Sequence, residues 1–360
     1  MIYLDYQATT PLAPEAREAM LKWLDGPAGV GFGNPHSPHR MGRQAAAAIE
    51  AARDKVAALF PAGGRVIFTG GATEALNLAI RGSGTTGSVS VSAIEHAAVL
   101  DTAEALGVKH VLNVSREGQC NTAQDLPSDC RLVAVMQINN EIGTVQPTVD
   151  WHRKAKANNA LFLTDAVQAY GKIEVTGADM IAVSAHKLHG PKGVGALWVR
   201  DGVALTEQQT GGGQEFGLRS GTLSPALIAG FGAAAALAKE RMAEDAEHAL
   251  QSWNRARELF DGWTVNGSAD ARWHGNLNIR REGLDVARLM SEVRDVMFSA
   301  GSACASGSGR PSHVLKAIGL SDAEAKSSIR LGWGRYTSLE DIEAAAKAIN
   351  AAAKEQDAWS

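Results

Sequence analysis

Between residues 43 and 60 the apolar positions Ile49, Ala52, Val56 and Leu59 recur at helical spacing with charges on the other side, which predicts an amphipathic helix. A short apolar run follows at 65–68, then the turn Gly70-Gly71-Ala72-Thr73, then a helical stretch from Glu74 to Arg81. The alternation continues, with strands expected at 88–92, 108–114, 131–137, 160–164, 179–183 and 194–199 and helices at 96–106 and 149–158. Strands alternating with helices predict an α/β fold whose mostly parallel sheet is covered on both faces. In such sheets ligands bind outside the carboxyl ends of the strands. An alanine-rich helix is expected from about 226 to 258. Beyond it the pattern changes to short strands at 276–280 and 296–299 between helices at 284–294 and 339–354. A smaller C-terminal α+β domain is therefore expected over residues 251–360, after a large domain over 14–250 and an N-terminal segment, 1–13, that packs with the small domain.

Composition narrows the function classes. The 360 residues are 45% hydrophobic and 21% charged, ordinary values for a globular chain, and 35 Lys and Arg against 39 Asp and Glu give a net charge of −4. No basic block offers a footprint for nucleic acid or an anionic membrane, so neither is expected as a partner. The three cysteines, Cys120, Cys130 and Cys304, contain no C-x-x-C pair, which fits a reducing compartment rather than a disulfide framework or a zinc site. The first ten residues lack the basic-then-apolar run of a secretory signal, and no stretch of about 18 apolar residues occurs, so a cytoplasmic chain is expected.

Two familiar phosphate motifs fail on context. Gly82, Gly84 and Gly87 match G-x-G-x-x-G but stand between a helix and a strand, the reverse of a dinucleotide site. Gly190-Pro191-Lys192-Gly193 lacks the Ser or Thr of a P-loop. The pairs His36/His39 and His186/His189 have no cysteine or carboxylate cluster to complete a metal site, and none is expected. Stronger signals sit at strand ends. The 70–73 turn opens a helix, so its backbone amides and the Thr73 hydroxyl suit a phosphate, or else Thr73 is an ordinary N-cap. Asp165 closes an apolar strand, as an electrostatic partner or a cap. Lys187, in Ser184-Ala185-His186-Lys187, follows another strand, where a desolvated lysine forms a Schiff base with an aldehyde or a solvated one does nothing. Together the three are what pyridoxal 5′-phosphate (PLP) requires: a phosphate anchor, a partner for the pyridine nitrogen and an amine.

The chain resembles the cysteine desulfurases of the NifS/IscS-like group, class V aminotransferases of PLP fold type I. The resemblance runs through Leu4-Asp5-Tyr6-Gln7-Ala8-Thr9-Thr10-Pro11, Gly33-Asn34-Pro35, the 68–74 segment, Glu95-His96, the 139–143 segment, Asp165-Ala166-Val167-Gln168, 184–187, Arg219-Ser220-Gly221-Thr222, 299–304 and Ser328-Ile329-Arg330. It implies a large domain with a mostly parallel seven-stranded sheet. It also implies that Lys187 holds PLP, Asp165 keeps the ring nitrogen protonated, and His96 stacks on the ring and assists proton transfer. Ala72, Thr73, Ser184 and His186 would bind the phosphate, joined by Thr222 from a second subunit, so a homodimer is implied. Gln168 would bond the ring hydroxyl, and Arg330 with Asn140 the substrate carboxylate, Asn140 also bordering the cofactor.

Cys304 decides the implied reaction. It lies in a run of Gly, Ser and Ala, and by resemblance its thiolate takes the sulfur of L-cysteine as a persulfide, releases L-alanine and passes the sulfur to an acceptor such as an iron–sulfur scaffold protein. Cys120 and Cys130 are expected to be structural. The same residues leave room for selenocysteine lyase activity or transamination of a small amino acid, and, in another class, for an inactive scaffold subunit. An aminotransferase needs no thiol at 304, and an inactive subunit needs neither Lys187 nor Asp165. The family's usual Ser-Gly-His-Lys reads Ser184-Ala185-His186-Lys187 here.

Overall fold

The computed structural model describes residues 1–29, 31–301 and 311–357. The chain opens with a two-residue strand, Ile2–Tyr3 (β1), parallel to Val296–Met297. Seven strands then form the main sheet: Gly64–Thr69 (β2), Ser88–Ser92 (β3), Lys109–Leu112 (β4), Cys130–Ala134 (β5), Leu161–Asp165 (β6), Met180–Ser184 (β7) and Gly195–Arg200 (β8). Their order is β2-β8-β7-β6-β5-β3-β4, parallel from β7 to β4 and antiparallel at β7–β8 and β8–β2. The mostly parallel seven-stranded sheet is thus present.

Both faces of the sheet are apolar, because successive strand residues alternate between two cores. Val66, Phe68, Ile181 and Val183 join Ile49 and Val56 of Arg40–Ala57, Trp151 and Phe231 in one. Ile67, Met180 and Ala182 join Leu76 and Ile80 of Ala72–Gly82 and Val99 of Ala97–Ala105 in the other. Each large buried aliphatic or aromatic side chain contributes roughly 1.5–3 kcal/mol. The amphipathic helix expected at 43–60 begins and ends three residues earlier, with His39 accepting from the Gly42 amide at its N-terminus.

A 35-residue helix, Pro225–Leu259, runs between two cores. Its Ala249 belongs with the main sheet, while Trp253 and Ala256 pack with Leu277, Ile279, Ile329 and Leu331. That second core covers a four-stranded antiparallel sheet of Thr264–Val265 (β9), Asn276–Arg280 (β10), Ser299–Ala300 (β12) and Ser328–Gly332 (β13), with Val296–Met297 (β11) paired to β1 instead. In β13 the two-residue period sends Ile329 and Leu331 into the core, which leaves Arg330 on the opposite face. The N-terminal segment follows this sheet: Leu4 joins its core and Asp5 bridges Gly332.

Several expected boundaries shift. The strand expected at 131–137 stops at Ala134, since the chain then turns out of the sheet toward the cavity described below. The one expected at 108–114 spans only 109–112. The helix expected at 284–294 spans Val286–Glu292, with Asp285 accepting from the Arg288 amide as its cap. The helix expected from Glu74 begins at Ala72, so Thr73 lies in its first turn and Gly71 is the N-cap. The expected 296–299 strand is split between β11 and β12. No helix of the described residues is long and apolar enough to cross a membrane.

Candidate active site

The carboxyl ends of β2, β6 and β7 converge on one cavity of about 780 Å³. From β2 the chain passes through Gly70 and Gly71 into the helix Ala72–Gly82, whose N-terminus carries no side-chain cap and therefore turns unmet amide dipole toward the cavity. The loop is fixed from outside. Gly70 donates its amide to Glu74 Oε2 at 2.7 Å, and Arg219 holds Glu74 at 2.7 Å. It is fixed from beneath by Gly195 on β8. A Cβ there would lie 2.5 Å from the Val183 carbonyl oxygen and 2.8 Å from Gly71 Cα, so only glycine permits the approach.

At the end of β7, Ser184, His186 and Lys187 face the same cavity. Lys187 Nζ donates to the main-chain oxygens of Gln7 (2.5 Å) and Ala8 (2.8 Å), brought in by the N-terminal segment. His186 Nδ1 lies 3.1 Å from Thr9 Oγ1, and Thr10 donates both its amide and its hydroxyl to the His186 carbonyl. Burial and the nearby charges of Lys187 and Lys192 push the His186 imidazole down to about 4, so it is neutral at physiological pH. Asp165, the last residue of β6, is 6% exposed and accepts the Val167 amide at 2.9 Å. Burial pushes its carboxyl up, opposed by the charges of His96 and Lys187. Gln168 completes this wall, donating to Gln7 O at 3.0 Å.

His96 caps the helix Ala97–Ala105: its Nδ1 accepts the Ala98 amide at 3.0 Å, which leaves the ring proton on Nε2. The ring also lines the cavity, so capping and a role there are compatible. Its neighbour Glu95 is fully buried, takes the Ser92 hydroxyl at 2.5 Å and the Met136 amide at 2.8 Å, and is pushed up to about 8 by desolvation.

Arg330 enters from the other sheet. It is 1% exposed, pairs with Asp5 at 2.7 Å, and donates to the Asn140 carbonyl at 3.1 Å and to Ser299 Oγ at 3.3 Å. Its Nε makes no hydrogen bond to protein. The pair with Asp5 is therefore buried on the arginine side, and the guanidinium borders the cavity. Glu141, behind Asn140, is buried and accepts the Ser312 hydroxyl at 2.5 Å.

The fold thus brings together Ala72, Thr73, His96, Asn140, Asp165, Gln168, Ser184, His186, Lys187 and Arg330, from six parts of the sequence. Thr222 borders a smaller adjoining cavity with Gly70, Gly193 and Arg219 instead. Cys304 lies outside the described residues. Cys120 and Cys130 are buried, and burial pushes the Cys120 thiol up to about 12, which suits inert packing. Among the described residues no group of His, Cys, Asp and Glu could hold a metal ion. Sequence reasoning gave no role to Gln7, Ala8 or Lys192, which also line the cavity. Gln7 and Ala8 act through main-chain oxygens, which no side-chain pattern displays.

Residues 2–345 match the class-V aminotransferase family. The chain is 40% identical to the mitochondrial cysteine desulfurase of Saccharomyces cerevisiae, over 97% of this chain and 74% of that protein. Among solved structures it is similar to a NifS-like protein (TM-score 0.89, 30% identity, 97% of this chain and 98% of that one). It is also similar to SspA in complex with cysteine (TM-score 0.82, 34% identity, 94% of this chain and all of that one).

Proposed function

The chain belongs to the cysteine desulfurases of the class-V aminotransferase family, and from that premise we propose that it converts L-cysteine to L-alanine and transfers the sulfane sulfur to Cys304. One observation supports this most: a lysine, a buried carboxylate and an uncapped helix N-terminus share one cavity with a buried arginine. The residues present fit PLP, the cofactor of the family. The Gly195-backed loop leaves room for backbone amides to meet a phosphate, as only a side chain-free floor does. When bound, PLP supplies an electron-withdrawing ring that acidifies the Cα–H of an attached amino acid.

We assign the roles as follows. Lys187 is the residue that attaches the cofactor and whose Nζ accepts the Cα proton of the substrate. Asp165 would hold the proton of the ring nitrogen, Gln168 the ring hydroxyl, and Ala72, Thr73, Ser184 and His186 the phosphate. His96 would pack against the ring and carries a proton on Nε2. Arg330 and Asn140 hold the substrate carboxylate. The Cys304 thiolate attacks the cysteine sulfur; the substrate C–S bond breaks, an S–S bond forms, and the substrate Cβ gains a proton to become the methyl group of alanine. The remaining assignments are a homodimer in which Thr222 reaches the partner's phosphate site, a large domain over 14–250 with 251–360 as the small one, a cytosolic setting, and an acceptor protein of iron–sulfur assembly or another sulfur pathway.

The test is to incubate the purified protein with L-cysteine and a thiol reductant and to quantify alanine, sulfide and pyruvate. Alanine equal to sulfide is expected; sulfide with pyruvate and no alanine would replace the assignment with a lyase. Cys304→Ala should keep the visible absorbance of the cofactor and lose sulfur transfer, and sulfide release at the wild-type rate would refute the persulfide. Gly195→Ala should loosen the phosphate loop, since the contacts its Cβ meets are backbone on both sides. About tenfold weaker cofactor retention, read by absorbance after dialysis, is expected from roughly 1–3 kcal/mol of overpacking.

A further inference from the structure

A second lysine stands behind Lys187. After Gln168 the chain makes a tight turn through Gly171, at φ 76°, where a Cβ would lie 3.0 Å from Ala238 Cβ, and this turn returns Lys172 beneath the end of β7. A small cavity of about 40 Å³ is lined by Lys172 together with Gln7 and Lys187, both of which also border the main cavity. Lys172 Nζ donates to Gln168 Oε1 at 3.1 Å, Gln168 Nε2 donates to the Gln7 carbonyl at 3.0 Å, and that carbonyl accepts Lys187 Nζ at 2.5 Å. The two amines are therefore joined by one side chain and one carbonyl.

The other charges around this small cavity offset one another. Asp245 is taken by Arg335 in a two-pronged pair whose shortest contact is 2.5 Å. His189 is pushed down to about 4 by burial, and Tyr6 is pushed up, so both are neutral near pH 7. On the main-cavity side, His186 is neutral, Lys192 is exposed, and Asp165 faces Lys187, its carboxyl pulled down by the charges of His96 and Lys187 against its burial. No carboxylate forms an ion pair with Lys172 among the described residues. Desolvation and then the Lys187 charge push its ammonium down to about 7.

We infer that Lys172 is a positioning residue for Lys187: linked through Gln168 and the Gln7 carbonyl, the two amines repel as like charges, so a proton on Lys172 disfavours one on Lys187 and favours its nucleophilic, proton-accepting form. A neighbouring cation is one of the ways a lysine is activated for attack on a carbonyl. The inference rests on Lys187 being the cofactor lysine. Removing a like charge raises the proton affinity of its neighbour, so the sign of the effect is fixed.

The experiment is a pH titration of the visible band of the PLP-loaded protein, with the rate at which apoprotein takes up PLP followed over the same range. In Lys172→Gln, which can still donate to Gln168, the band midpoint should rise by about one unit. Uptake at pH 7 should slow about tenfold and recover at pH 9. Lys172→Arg holds the charge at every pH and should leave the midpoint at or below that of the wild type. A purely structural role would slow uptake at every pH in both variants and leave the midpoint in place, which would overturn the inference. Should Lys172→Gln fail to fold, Lys172→Met serves, and so does the wild type, whose coupled amines should titrate in two steps; a single step would overturn it. A wild-type protein that develops no visible band on addition of PLP would refute the cofactor reading and the inference with it. A normal band with an unmoved midpoint in Lys172→Gln would refute the inference alone.

Discussion

Lys187→Ala is expected to fold, to lose the visible band of the attached cofactor and to lower L-cysteine turnover by roughly four orders of magnitude or more. On the proposed roles, two functions would leave with one nitrogen: the attachment point and the group that accepts the Cα proton. The fold should survive because Lys187 is only partly buried and its Nζ donates to main-chain oxygens, those of Gln7 and Ala8. Those oxygens border a cavity large enough for water, which can replace the ammonium. Far-UV circular dichroism should therefore match the wild type while absorbance and alanine production do not. Lys187→Arg separates the two functions from charge, for it keeps a cation against Gln7 and Ala8 and should restore neither attachment nor turnover. Turnover within tenfold of wild type in Lys187→Ala would move the proton-accepting role to another group, His96 being the nearest in chemistry.

The sheet was legible because its signal is local. A strand apolar on both faces, such as Met180–Ser184, reads as a continuous run, and the Gly-rich turn at 70–73 marks where it opens on a helix. The strand carrying Arg330 was not read as one, since Ser328–Gly332 is short and holds a charge at its centre. That charge is tolerated because it points away from the core into the site, where Asp5 and the Asn140 carbonyl meet it. The helix start at Ala72 was missed for a related reason: Thr73 is the better capping residue, but the loop uses Gly71 there to lie against Gly195.

The site residues were legible by motif and illegible by contact. Lys187, Asp165 and Arg330 each stand out as a charge at the end or centre of an apolar run, whereas the groups that hold them are backbone atoms or distant side chains. Gln7 is 180 positions from Lys187 and Asp5 is 325 from Arg330. Lys172 gives the sharpest case. In sequence it is one more lysine in a turn, and only folding places it behind Lys187 through three hydrogen bonds.

Arg330→Ala should carry the second-largest effect, a fall of about 10²- to 10³-fold in kcat/KM for L-cysteine, most of it in KM. A guanidinium matched to a carboxylate by two parallel bonds is worth roughly 3–4 kcal/mol where water is excluded, and each 1.4 kcal/mol is tenfold. The substrate carboxylate would take the Nη donors that now meet the Asn140 carbonyl at 3.1 Å and Ser299 Oγ at 3.3 Å, while Asp5 keeps its shorter bond. Stability should also fall, by about 3 kcal/mol, since Asp5 would lose its partner and the buried Glu141 a neighbouring positive charge. The two effects separate by variant. Arg330→Lys keeps a charge beside Asp5 and should recover most of the melting temperature, but a lysine offers no fork and should leave KM raised at least about tenfold. Substrates provide the second separation: an L-cysteine amide, which has no carboxylate, should be a poor substrate for the wild type and little worse for Arg330→Ala. Equal loss for acid and amide would show that the arginine supports the wall of the cavity rather than the substrate.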